Sequence, residues 1–329
     1  MDITTSTWVA NRLQHRVGII GADPGGINAL VGLLLLRNIR SATAFIPPSS
    51  RQLFEGYGSL DISFSEDWKA LIEDSDLVIL GASWSDRTFL RAIEHANTNH
   101  KPSWLVLDSW YDYAARFEFS PKQPSKLPTK FIVSDAIAER ILKESLELNR
   151  DQVIIEDNLQ FHYFLHKTKG LCKEPAEPTA LILGSPLSKA KEKGLVEASA
   201  LNFTETDVAT ICIETLSELR INSIIRPHPS QSPETYRELA RAPYTKISNN
   251  PALAVDLGRS SLIIGYCSAA LAIATLMGKQ SICFGLSRSK DFFKWETYGV
   301  YDHYQIQWAS SQSDLREYLV RLYPSVHRK

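Results

Sequence analysis

The chain reads as a series of short apolar runs rich in β-branched residues. Most are stopped by Gly, Pro or Asp, and most are followed by a stretch with helical spacing. In the first half the runs fall at 16–20, 42–46, 76–81, 104–107, 130–133 and 153–155. Runs this short, without polar alternation, predict strands buried on both faces. An apolar helical stretch runs on to Leu36, and a second helix is predicted after Ser134 or Asp135, with Ile137, Ile141, Leu142 and Leu146 on one face. At 166–178 the pattern lapses into prolines and alternating charges, which reads as a linker. It then resumes with strands at 180–183, 223–226, 262–265 and 281–284. A helix at 204–219 opens on Thr204 and Asp207, a capping-box pair, and another at 268–277 is closed by Gly278. Leu315, Tyr318, Leu319 and Leu322 mark an amphipathic last helix. The alternation predicts an α/β chain of two Rossmann-like domains, residues 1–170 and 171–329. Each would hold a mostly parallel sheet covered on both sides, the two facing across a cleft, with the last helix able to pack back on the first domain.

Composition narrows the class. With 329 residues, 44% of them apolar, the chain can bury two cores without disulfide or metal staples. Lys and Arg (36) balance Asp and Glu (37), so no global basic surface draws in nucleic acid. Cys172, Cys212, Cys267 and Cys283 form no Cys-x-x-Cys pair, which argues against structural zinc and for thiols in a reducing cytoplasm. The longest apolar run, around 30–36, is too short to span a bilayer, and the N-terminus lacks the pattern of a secretion signal. The expectation is a soluble cytoplasmic protein.

In open parallel sheets ligands bind at the carboxyl ends of strands, so the loops that follow predicted strands are the candidate sites. Gly21-Ala22-Asp23-Pro24-Gly25-Gly26 leads into a helix N-terminus, where glycines admit a ligand and anions are favoured. Asp23 is either a cap or a general base. The dinucleotide fingerprint and its ribose-binding acid are missing, and so is a P-loop, which disfavours a nicotinamide-dependent oxidoreductase. In Arg226-Pro227-His228-Pro229 two prolines stiffen the backbone around one imidazole. Such an imidazolium suits a departing phosphate, with Arg226 as a further charge if it faces the same way. In Gly265-Tyr266-Cys267-Ser268-Ala269-Ala270, Ser268 is an N-cap whose helix end also suits phosphate. Gly184-Ser185-Pro186-Leu187-Ser188 is a weaker loop of the same kind.

Asp108-Ser109-Trp110-Tyr111-Asp112-Tyr113, with Arg116 and Phe117 beyond, is either a sugar-binding aromatic cluster or core packing. Glu156-Asp157-Asn158 carries the same ambiguity. His162 and His166 lie four apart but lack the metalloprotease pattern. Lys189, Lys191 and Lys193 read as a solvated patch from which one side chain can reach a phosphate. Trp295, Tyr298, Tyr301, Tyr304 and Trp308 either meet a membrane-bound acceptor or pack internally.

The three second-half loops, Leu183–Ser188, Ile225–Pro229 and Gly265–Ala270, resemble in order and spacing the nucleotide-binding domain of GT-B glycosyltransferases. More narrowly, they are similar to the bacterial sialyltransferase, polysialyltransferase and Kdo-transferase group with its His-Pro motif. The resemblance covers most of 179–285. It implies a nucleotide-sugar donor, a CMP-sugar above others, and an inverting transfer without a metal cofactor. His228 would contact the leaving phosphate and Ser268 would bind it, with Gly184, Ser185, Arg226, Pro229 and Ala269 lining the donor site. An acid of the family's donor helix has Asp256 as its nearest counterpart. The family's acid-acid-Gly base motif is missing, so Asp23 or Asp108 is the expected substitute, with Gly25, Gly26 and Trp110 on the acceptor side. CDP-glycerol polymerases share a comparable His-Pro element. The rivals are a sugar-nucleotide epimerase or hydrolase, and a non-catalytic binding protein.

Overall fold

A computed structural model describes residues 16–54, 60–83, 86–110, 113, 127–146, 148–169, 175, 177–192, 203–250, 252–286 and 294–324. The chain divides into two compact units, Met1–His166 and Lys167–Lys329.

In the first unit a seven-stranded parallel sheet has the order β3-β2-β1-β4-β5-β6-β7. Its strands are β1 (Val17–Ile20), β2 (Ser41–Phe45), β3 (Asp61–Phe64), β4 (Leu77–Gly81), β5 (Ser103–Val106), β6 (Lys130–Val133) and β7 (Val153–Ile155). The helices are α1 (Pro24–Arg37), α2 (Trp68–Asp74), α3 (Thr88–Thr98), α4 (Ala136–Ser145) and α5 (Leu159–Thr168). Every residue of β1 and β4 is buried, as continuous apolar runs require when helices cover both faces. Residues 26–34 of α1 are all buried too, so this helix is apolar all round and lies inside the unit. It ends at Asn38, whose left-handed backbone (φ 52°) turns its N–H onto the Leu34 and Leu35 carbonyls. Asp135 caps α4, accepting the Ala138 N–H at 2.7 Å.

The second unit holds a six-stranded parallel sheet ordered β10-β9-β8-β11-β12-β13. These are β8 (Thr179–Leu183), β9 (Asn222–Arg226), β10 (Thr245–Ile247), β11 (Leu262–Gly265), β12 (Gln280–Phe284) and β13 (Gln307–Ala309). Its helices are α6 (Leu187–Glu192), α7 (Glu205–Glu218), α8 (Leu253–Gly258), α9 (Ala269–Leu276), α10 (Val300–His303) and α11 (Gln312–Leu322). Thr204 and Asp207 form the expected capping box on α7. The last helix, α11, packs on α7 and β13. Trp295, Tyr301 and Tyr304 are buried, and the Tyr301 ring meets Trp295 and Trp308 at 5.8 Å each, so this group packs internally. Among the described residues no helix is long and apolar enough to cross a membrane.

Each sheet reverses its strand order once, between β1 and β4 in the first and between β8 and β11 in the second. At such a reversal the loops leaving neighbouring strands diverge to opposite faces and open a crevice.

Candidate functional site

In the first unit the crevice is bordered by the loops after β1, β4 and β5. Asp23 stands at the N-cap position of α1 but makes no capping bond. Its Oδ2 instead accepts the Ser83 hydroxyl at 2.7 Å, and Ser83 Oγ accepts the Asp86 N–H at 3.0 Å. A small pocket here is lined by Gly21, Ala22, Pro47, Ser83, Thr88 and Phe89. Ser83 lies in no motif, and its one signal in the sequence is its place two residues beyond a buried strand.

Asp108, at the end of β5, brings its carboxylate against Gly25, so both candidate acids sit at the start of α1. A carboxylate there is favoured by the helix dipole. Gln160 Nε2 holds the Asp108 carbonyl at 2.7 Å. Gly26 is buried, and a Cβ on it would come 2.7 Å from the Ala82 carbonyl. The expectation that Gly26 lets a ligand approach is corrected: it lets α1 lie on β4. Gly26→Ala is expected to cost about 1–3 kcal/mol through overpacking, measured by urea unfolding.

Trp110 is also corrected. It is 1% exposed, and its Nε1 donates to Asp135 Oδ2 at 2.7 Å, so the indole is core and not a platform for a sugar ring. Tyr113 is buried as well, its hydroxyl donating to the Ser109 carbonyl. Tyr111, Asp112, Arg116, Phe117, Cys172 and Lys193 lie outside the described residues. Glu156 pairs with Arg37. His162 lies 3.9 Å from Asp157, and among the described residues no three His, Cys, Asp or Glu side chains gather as metal ligands.

In the second unit His228 is exposed just beyond β9. Its Nδ1 accepts the Ser230 backbone N–H at 3.2 Å, with Ser230 Oγ at 2.9 Å. A backbone N–H only donates, so in the neutral ring the hydrogen sits on Nε2. Pro229, exposed, follows directly. Lys189 Nζ donates to the Ser230 carbonyl, which brings one cation of the predicted patch beside this loop; Lys191 binds the Phe203 carbonyl instead.

Arg226 commits its Nη1 away from this loop. Its Nη1 donates to Asp256 Oδ2 at 2.5 Å and to the Asn250 carbonyl at 3.0 Å. Asp256 is 0% exposed and also accepts from Ser248 Oγ at 2.5 Å and from Asn250 Nδ2. Arg226, largely buried, and Asp256, fully buried, thus form a pair that anchors β9 to α8 and the chain after β10. A guanidinium at a strand end looked the same in the sequence.

Ser268 caps α9 as expected, accepting the Ala270 N–H at 3.3 Å, with Ala269 as the first helical residue. The chain reaches this cap through Cys267, in left-handed conformation (φ 43°), whose N–H donates to Cys283 Sγ at 3.2 Å. Ser185 Oγ donates to the Tyr266 carbonyl at 3.2 Å, bridging the loops on either side of the strand-order reversal.

The side chains that the sequence did not point to are Gln231, Glu205 and Tyr236. Gln231 Oε1 accepts the His228 N–H at 2.9 Å and the Tyr236 hydroxyl at 3.1 Å. Its Nε2 donates to Glu205 Oε1 at 3.2 Å and to the Ser185 carbonyl at 3.3 Å. A Cβ on Gly184 would fall 2.6 Å from Gln231 Oε1, so Gly184 makes room for this amide. Burial alone would raise the pKa of Glu205. The hydrogen bonds from its own N–H, from Ser188 and from Gln231 outweigh burial and hold it below the ordinary carboxylate value. A group with a depressed folded pKa stabilises above its unfolded value and loses that contribution as pH falls through the folded one. The stability gap between wild type and Glu205→Gln is therefore expected to narrow as pH drops below about 4.3, followed by thermal denaturation.

No family model matches the chain, and no curated protein is similar to it in sequence. Solved structures are similar in fold. One is a Listeria monocytogenes protein assigned as a UDP-N-acetylglucosamine 2-epimerase, at TM-score 0.60 and 10% identity over 95% of this chain and 90% of that one. Another is the glycotransferase of kitacinnamycin, at TM-score 0.55 and 14% identity over 95% and 92% of the two chains. A third is the wall teichoic acid polymerase TagF, at TM-score 0.56 and 8% identity over 97% and 82%. With two parallel α/β sheets, these likenesses define a GT-B-like fold.

Proposed function

We propose that this chain is a glycosyltransferase that moves a sugar from a nucleotide-activated donor, a CMP-sugar above others, to a hydroxyl acceptor in the cytoplasm. The observation that carries the reading is His228, held at the carboxyl end of β9 by Ser230 and Gln231, one strand from the reversal point of a GT-B-like second unit. In this reading the donor binds the second unit and the acceptor the first. Asp23, held by Ser83, or Asp108, against Gly25, takes the proton of the acceptor hydroxyl. The acceptor oxygen forms the new bond to the anomeric carbon from the face opposite the leaving group, inverting its configuration. The bond from that carbon to the phosphate oxygen breaks, and its electron pair stays with the phosphate. His228 Nε2–H, Lys189 and the N-terminal end of α9 at Ser268 and Ala269 receive the charge, the part a metal ion takes in other transferases.

The likeness to the epimerase favours a second reading, sugar-nucleotide epimerisation or hydrolysis. One experiment separates them: incubation with CMP-sialic acid or CMP-Kdo, with and without a glycan acceptor, followed by mass spectrometry. Transfer requires acceptor-dependent CMP release and a heavier acceptor. Full consumption of donor alone supports the second reading, and binding without any product supports a non-catalytic role.

A further inference from the structure

We propose that Gln231 is a positioning residue whose side-chain amide fixes where the His228 ring meets the donor phosphate; this rests on the transfer reading above. All four hydrogen-bonding places of the amide are used. The partners of Oε1 are a backbone N–H and the Tyr236 hydroxyl; those of Nε2 are the Glu205 carboxylate and the Ser185 carbonyl. Burial pushes the Tyr236 hydroxyl up to about 12, so it stays a donor, while Glu205 stays an acceptor. Donors therefore face only the oxygen and acceptors only the nitrogen, and the amide has one orientation.

This single side chain grips the His228 backbone from one side. The Gln231 backbone N–H grips it from the other, donating to the His228 carbonyl at 2.8 Å. Pro227 and Pro229 limit backbone rotation on either side of His228, and Ser230 holds Nδ1, so the direction of Nε2–H follows from where Gln231 sets this backbone. The same amide ties the loop to the one after β8 and to the start of α7. With its polar atoms all engaged, Gln231 acts through His228 and not on the substrate.

The test is a charge exchange with Glu205. Gln231→Glu sets a second carboxylate against Glu205 and the Ser185 carbonyl. Adding Glu205→Gln returns a donor to that contact and leaves an oxygen for Ser188. With CMP-sialic acid as donor, kcat is expected to fall about 10–100-fold in Gln231→Glu with KM little changed, and to recover in part in the double variant, where the contact with residue 205 is restored and the Ser185 carbonyl still lacks its donor. In the free protein, the ¹⁵N signals of the His228 ring are expected to move in the single variant and to shift back toward wild type in the double. Should Gln231→Glu fail to fold, Gln231→Met, which keeps the length without the amide, takes its place with the same expected loss and ring shift. A variant that loses only thermal stability, with kcat and ring signals of wild type, overturns the inference. If His228→Ala leaves CMP-sialic acid consumption unchanged, the transfer reading fails. The ring signals alone then decide the role of Gln231, and an unchanged spectrum overturns it.

Discussion

Asp256→Ala is expected to destabilise the protein by about 3–5 kcal/mol, the cost of taking the carboxylate from a largely buried guanidinium and its neighbouring donors. Asp256 is fully buried and serves Arg226, Ser248 and Asn250 together, while the Arg226 side chain is only 16% exposed. Deleting the carboxylate takes an acceptor from three donors at once, of which Arg226 Nη1 keeps the Asn250 carbonyl. Removing both charges in Arg226→Met/Asp256→Leu is expected to recover part of the loss, because no guanidinium is left without the carboxylate while Ser248 and Asn250 still lack it. Urea unfolding of the two single variants and the double closes the cycle. A loss below 1 kcal/mol in Asp256→Ala contradicts the structural role assigned to the pair.

His228→Ala is expected to lower kcat for CMP-sugar turnover by about 10²–10³-fold, the usual effect of losing one preorganised donor to a developing oxyanion. Stability is expected to change little, since the ring is exposed and its Nδ1 contacts lie within its loop. His228→Gln places an amide N–H near the Nε2 position and is expected to retain part of the rate. Steady-state kinetics on the three proteins measures this. Equal kcat in wild type and His228→Ala removes the leaving-group role.

The hydrophobic pattern was enough to locate the central strands, and its failures have a common cause. β3, β10 and β13 were missed, and all three are sheet edges. β3 and β10 have no buried residue, so neither carries the uninterrupted apolar run that announces β4 or β11. β7 is also an edge, but Val153-Ile154-Ile155 is apolar throughout and was found. Caps were legible because they are local: Thr204, Asp135 and Ser268 each bind an N–H two or three residues on. Long-range polar partners were not. Arg226 and Asp256 are 30 residues apart, Gln231 and Glu205 are 26 apart, and Ser83 and Asp23 are 60 apart. Nothing in the local sequence tells a guanidinium that will meet phosphate from one that will meet a buried carboxylate. Trp110 failed for a related reason: an aromatic beside an acid at a strand end fits a sugar site and a core equally well, and Asp135 decided for the core.

The central claim is that the strand ends of the second unit receive a nucleotide's phosphate at His228. Thermal denaturation of wild type and His228→Ala with CMP, CDP, UDP and GDP tests it most directly. A ligand that binds only the native state adds about 2.7 kcal/mol at a hundredfold excess over its Kd, enough to move the midpoint by several degrees. The account predicts that CMP raises the midpoint of wild type most and that the shift shrinks in His228→Ala. No shift with any of the four nucleotides, or an equal CMP shift in both proteins, contradicts it.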